Sequence, residues 1–135
     1  MAGLKANSPT PVSLVVHSAT RVLEVGFDDG ALFRIPFELL RVYSPSAEVQ
    51  GHGPGQEVLQ TGKRDVGIDS VSPVGHYAVQ PVFSDEHSSG IYTWEYLYAT
   101  GRDQDALWER YLDRLSEAGL DRDAPMLAKA GSRCA

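Results

Sequence analysis

The sequence predicts an α+β domain: a small antiparallel β-sheet, a short helix after the first hairpin and a C-terminal amphipathic helix. Three observations carry this. Apolar residues alternate along Arg21–Phe27 and resume after Asp28-Asp29-Gly30, as in a hairpin whose turn needs a glycine. Leu107, Trp108, Tyr111, Leu112 and Leu115 recur at helical spacing near the other end. The chain has 135 residues, the size of one domain able to bury its own core without disulfides or a structural metal.

Residues 1–11 contain Pro9 and Pro11 and few large apolar groups, and are expected to form a flexible arm. The folded domain is expected over 12–119. In the first hairpin Leu23, Val25 and Phe27 point one way and Val22 and Glu24 the other; Ala31, Phe33 and Ile35 continue the inward face. Pro36 stops the strand and suits a first helical turn, with Phe37, Leu40 and Arg41 following at helical spacing until Ser44-Pro45 ends the helix. Residues 44–57 read as a long polar loop. Val66–Ser72 and Tyr77–Phe83 read as strands, with Tyr77, Val79 and Phe83 on one face. Pro81 places the second strand at an edge or a bulge, because proline cannot donate to a ladder. Ser84–Gly90 is a polar connection, and a helical turn is expected around Trp94–Tyr98. The clearest helix runs from Gln104 to Ala118, with Asp103 as N-cap and Gly119 in the left-handed position after it. Residues 120–135 read as a flexible tail.

Composition narrows the function. The net charge is −6, and no basic stripe exists to hold a phosphate backbone, so no nucleic-acid partner is expected. No apolar run would span a bilayer, and the N-terminus lacks the apolar core of a signal peptide, so no membrane partner is expected. The single cysteine, Cys134, excludes an internal disulfide and suits a reducing, cytoplasmic location.

Chemically suggestive clusters are weakly specified. Gly51-His52-Gly53-Pro54-Gly55 lacks the strand before and the helix after that a phosphate-binding loop requires, and reads as a turn-rich loop. Ser84, Asp85 and His87 are the residue types of a hydrolase triad, but three neighbours on one loop rarely reach the required geometry. His17, His52, His76 and His87 share no metal-binding spacing; Asp85 and His87 with His52 from another loop are the only candidate set. Trp94, Tyr96, Tyr98, Trp108 and Tyr111 read as core and core-edge residues.

Leu39-Leu40-Arg41, Ser44-Pro45-Ser46-Ala47-Glu48-Val49, Gly51-His52-Gly53, Val74–Val79 and above all Asp85–Trp94 follow one another in an order and spacing that resembles the gamma-butyrobetaine hydroxylase-like N-terminal domain family, known as a stand-alone bacterial domain of unknown function. The resemblance runs from about Leu14 to Leu115. It implies a domain that precedes a separate oxygenase domain in the hydroxylases and accompanies iron–sulfur carrier ATPases in other relatives. The oxygenase activity is not implied for this chain. The hydroxylases bind a structural zinc through three cysteines and a histidine. Those positions correspond here to Ser44, Ser46, Val49 and His87, so three of four ligands are missing and no zinc is expected.

The expectation is therefore a non-catalytic accessory, docking or dimerisation domain without a cofactor, acting on an unidentified protein partner or as a homodimer. Arg41, His52, Asp85 and His87 are expected together on one exposed end as the interaction surface, with hydrogen bonds or an ion pair, such as Arg41 with Asp85, in place of the metal. The alternative is a metal-binding or iron–sulfur cluster assembly factor using His52, Asp85 and His87. An enzyme, the third class, would need a deep pocket with convergent polar groups.

Overall fold

The computed structural model describes residues 9–51 and 55–125. Strands β1 (Pro11–His17), β2 (Val22–Phe27) and β3 (Leu32–Pro36) form an antiparallel sheet in that order. Leu23, Val25, Phe27 and Ile35 are buried on its inner face, following the alternation in the sequence. Outside, Glu24 lies between Val15 and Arg34, and the Arg34 Nε donates to it at 3.2 Å.

Pro36, with φ of −59°, ends β3 and leads into helix α1 (Phe37–Val42), whose six residues are all buried. Helix α2 (Ala47–Gln50) follows, inside the segment expected as an unstructured loop. Ser46 makes it: its hydroxyl accepts the Glu48 N–H at 3.1 Å, a cap that the surrounding glycines and prolines obscure in the sequence.

Strands β4 (Ile68–Val74), β5 (Ala78–Phe83) and β6 (Tyr92–Thr93) form a second antiparallel sheet, so the strands divide into two small sheets. β5 is the middle strand, where Pro81 led to the expectation of an edge or a bulge; its pairing with β4 does carry a register shift, between Ile68 and Ser70. It accepts proline because β6 pairs only with Ala78 and Val79, and Pro81 lies beyond it. Tyr77 precedes the strand and is exposed, not inward.

Helix α3 (Trp94–Arg102) is longer than the turn expected there, running through Gly101, whose hydrogen face abuts the Phe33 ring. Thr93 caps it, accepting the Tyr96 N–H at 3.0 Å. Helix α4 (Gln104–Ala118) has the predicted limits, and Gly119 takes the left-handed conformation with φ of 71°. Asp103 precedes α4, but its carboxylate pairs with Arg102 at 3.0 Å instead of capping. Tyr111 and Leu115 are buried, Trp108 is half-buried, and Leu112 is exposed. Trp108 is thus a rim residue, with the Arg122 guanidinium 4.9 Å from its ring centre.

Residues 120–125, the start of the expected tail, are tied to the body. Arg122 reaches both carboxylate oxygens of Glu38, at 2.5 and 3.0 Å, and its carbonyl accepts the Gly62 N–H at 2.7 Å. The rest of that segment and most of the N-terminal arm lie outside the described residues. The core gathers the inner faces of both sheets, α1, and the buried side of α3 and α4, with Phe37, Phe83, Tyr92, Leu97 and Tyr111 at its centre.

Candidate functional site

Three segments converge beside α1: Ser44–Gln50, Gln60–Lys63 and Ser84–Gly90. Arg41 projects from the last turn of α1 and is buried. Its Nε donates to Asp85 Oδ2 at 2.9 Å and its Nη1 to Gln60 Oε1 at 2.9 Å. Lys63 Nζ donates to the same Asp85 oxygen at 2.6 Å, while Asp85 Oδ1 accepts the His87 N–H at 3.2 Å. Two cations therefore share one carboxylate. Burial alone would push the Asp85 carboxyl up, but the Lys63 hydrogen bond and the charges of Arg41 and Lys63 overcome it and hold the pKa at about 2.

The turn that presents Asp85 and His87 is tight. Glu86 has a φ of +74°, uncommon for a residue with a Cβ. Its N–H donates to the Phe83 carbonyl at 2.9 Å, and the Phe83 N–H donates to the His87 carbonyl at 2.9 Å. These bonds send the Asp85 and His87 side chains to different partners.

His87 is 5% exposed, with its Nδ1 3.0 Å from Glu48 Oε1 and its Nε2 2.8 Å from Ser44 Oγ. An ionised carboxylate only accepts, so Nδ1 carries the proton and donates to Glu48, leaving Nε2 to accept the Ser44 hydroxyl proton. Burial lowers the His87 pKa, and the Arg41 charge lowers it further, which favours this neutral ring. Beside it Ser46 Oγ meets Ser89 Oγ at 2.7 Å, and the Ser46 N–H donates to Ser44 Oγ at 3.2 Å. Gly90 closes the site: a Cβ there would sit 2.5 Å from Ser44 Oγ, so only glycine permits the approach.

Ser44, His87 and Glu48 thus have the connectivity of a hydrolase triad. The sequence reading considered Ser84 for that role, but Ser84 Oγ accepts the Gly67 N–H at 2.8 Å. Sequence offered one signal for Ser44, its place at the first of the zinc-ligand positions. Ser44 is 0% exposed under Gly90, so no substrate carbonyl can reach its oxygen.

Of the four predicted surface residues, Arg41, Asp85 and His87 come together and the Arg41–Asp85 pair forms. Arg41 and His87 are buried, however, not displayed on an exposed end, because each satisfies its polar atoms among neighbours. His52 lies outside the described residues.

Comparisons with known proteins place the chain in a family. The description "Gamma-butyrobetaine hydroxylase-like, N-terminal" matches residues 14–98. The chain belongs to that family. Two solution structures of relatives match it at 43% and 44% identity. They cover 87% and 93% of this chain and 93% and 94% of their own, with TM-scores of 0.74 and 0.76. A crystal structure of a DUF971 family protein of unknown function from Acidithiobacillus ferrooxidans is 44% identical over 65% of this chain and 88% of its own, with a TM-score of 0.55. No curated protein matches the sequence.

The zinc of the hydroxylase members does not fit this member of the family. Ser44 and Ser46 supply hydroxyls committed to hydrogen bonds, and Val49 has no donor and is buried. Both His87 ring nitrogens are engaged by side chains. Among the described residues no group of three or more His, Cys, Asp or Glu side chains is placed to hold a metal ion. No helix among them is long and apolar enough to cross a membrane.

Proposed function

We propose that this domain is a non-catalytic accessory module that docks onto a protein partner in a reducing, cytoplasmic setting, and that the Arg41–Asp85–His87 cluster is the clamp that shapes its docking end. One observation carries this reading: in the most catalysis-like constellation among the described residues, Ser44–His87–Glu48, the serine and the histidine are buried and internally satisfied. Groups that perform chemistry keep an open position for a substrate. Here both ring nitrogens and the serine oxygen are consumed in joining one loop to another. Glu48, whose side chain is 69% exposed, and the partly exposed Asp85 carry the clamp to the surface, where loops on a rigid scaffold make contacts. His52, two residues beyond α2, is proposed as a contact residue of the same end.

The metal-binding alternative through His52, Asp85 and His87 has Asp85 and His87 already committed, and no observation favours it.

A fluorophosphonate, which labels activated serines, tests the non-catalytic reading on the full chain. No adduct at Ser44 is expected in the folded protein; stoichiometric labelling there would overturn the proposal. Docking is tested by comparing His52→Ala with His87→Ala for melting temperature and for retention of a partner identified by cross-linking. His87→Ala is expected to lower the melting temperature. His52→Ala is expected to leave it unchanged and weaken retention; unaltered retention removes His52 from the contact.

A further inference from the structure

On the other side of α2, α4 carries Arg110 and Arg114 one turn apart, so both leave the helix in one direction. Neither makes an ion pair among the described residues, a state shared with Arg21, whereas Arg34, Arg41, Arg64, Arg102 and Arg122 each make one. They line a cavity of about 370 Å³ with Tyr43, Val49, Tyr96 and Leu107. This wall is fixed before any ligand arrives. The Tyr43 hydroxyl donates to the Leu107 carbonyl at 2.9 Å, the Tyr96 hydroxyl donates to the Tyr43 carbonyl, and the Gln50 amide donates to the Ser44 carbonyl at 2.9 Å. Burial pushes the Tyr43 phenol up, while the charges of Arg110 and Arg114 and a hydrogen bond with Arg114 pull it down; all three side chains line the same cavity.

We infer that this cavity binds a carboxylate carried on an apolar or aromatic body, with Arg110 and Arg114 holding the carboxylate and Tyr43, Tyr96 and Leu107 packing the body. The volume lies within the roughly 300–1,000 Å³ of small-ligand sites, and the lining combines apolar and aromatic side chains with Gln50, Glu57, Arg110 and Arg114. Guanidiniums match a carboxylate because their planar N–H donors meet two oxygens at once. Glu57 also lines the cavity, leaving two cations to one anion, so a carboxylate is favoured over an amine of the same body. The inference does not rest on the docking proposal: α2 borders both regions, but the cavity uses none of the clamp's ion pairs.

The test is a nuclear magnetic resonance titration of the full chain with 3-phenylpropionate, its uncharged amide, the matching amine and inorganic phosphate. A dipeptide with a free C-terminal phenylalanine and its amidated form distinguish a peptide terminus from a free small acid as the source. Saturable shifts are expected at Tyr43, Tyr96, Leu107, Arg110 and Arg114 with 3-phenylpropionate, with the amide and amine at least about tenfold weaker. Arg110→Gln with Arg114→Gln is expected to abolish those shifts without moving the melting temperature. Equal binding of the amide, unchanged binding by the double variant, shifts elsewhere, competition by phosphate at equal concentration, or no saturable shift with either carboxylate probe would each overturn the inference. Tighter binding of the free-ended dipeptide than of 3-phenylpropionate supports the site and assigns a peptide terminus as its source.

Discussion

Two regions of this molecule join distant segments with the same side-chain types but in different surroundings. In the clamp Arg41, Lys63, Asp85 and His87 are largely shielded from water, and their polar atoms have protein partners. In the strap formed by residues 120–125, Arg64 and Asp123 pair in the open, 47% and 60% exposed, while Arg122 reaches Glu38 and Trp108 from a position between the two extremes. Water competes for every bond of an exposed pair and for few of a buried one, so similar distances conceal different energetic weights. What matters in the clamp is less the strength of each contact than the cost of leaving a partner stranded.

That contrast is tested most severely by Arg41→Ala. It leaves Lys63 as the one cation on Asp85 among the described residues and Gln60 without its guanidinium partner. Breaking a buried pair from one side typically costs about 3–5 kcal/mol. A comparable fall in unfolding free energy is expected, measured by chemical denaturation; a change no larger than that of an exposed pair would show that water replaces the guanidinium freely. Trp108→Ala comes next. The ring is half-buried, so the loss is expected near 2 kcal/mol, below the roughly 3–5 kcal/mol of a fully buried tryptophan. A full-sized loss would mean that the strap depends on Trp108 more than the packing shows.

Acidification probes the clamp without mutation. The folded-state pKa of both His87 and Asp85 lies below the unfolded value, so each contributes stability that is present above the unfolded pKa and lost as pH falls through the folded one. His87 acts first, below the ordinary histidine range near 6.5, and Asp85 follows between about 3.8 and about 2. Melting temperature followed against pH should fall in those two windows. His87→Gln should remove the upper fall and leave the lower one; persistence of the upper fall in that variant would assign it to another group.

Part of the fold and one contact of the clamp were legible before the structure, for reasons that differ from element to element. The inner face of β2 and the limits of α4 follow from periodicity, because one face of each element packs against the core. The Arg41–Asp85 meeting followed from the family resemblance, since spacing alone does not bring residues 44 positions apart together. The triad-like link from Ser44 through His87 to Glu48 was not legible, because it depends on α2, a four-residue helix whose only local signal is the Ser46 cap. Exposure was misread for Arg41 and His87 because residue type suggests a surface while partnering decides burial. The docked strap was missed for a related cause: Arg122 is an ordinary tail residue until Glu38 and Trp108 are placed beneath it.

The smallest expected effect lies at the outer edge of the strap. Arg64 donates through Nε and Nη2 to both oxygens of Asp123, at 2.8 and 2.9 Å, a two-pronged geometry that would be strong if dry. Both side chains are open to solvent, so water and salt recover most of what either loses. Arg64→Ala is therefore expected to leave the melting temperature within measurement error at physiological ionic strength. The backbone bond from Gly62 to Arg122 and the Arg122–Glu38 pair already fix the segment and do not involve Arg64. A clear drop in melting temperature that disappears in high salt would show that the exposed pair does hold the strap, and that exposure alone does not separate this region from the clamp.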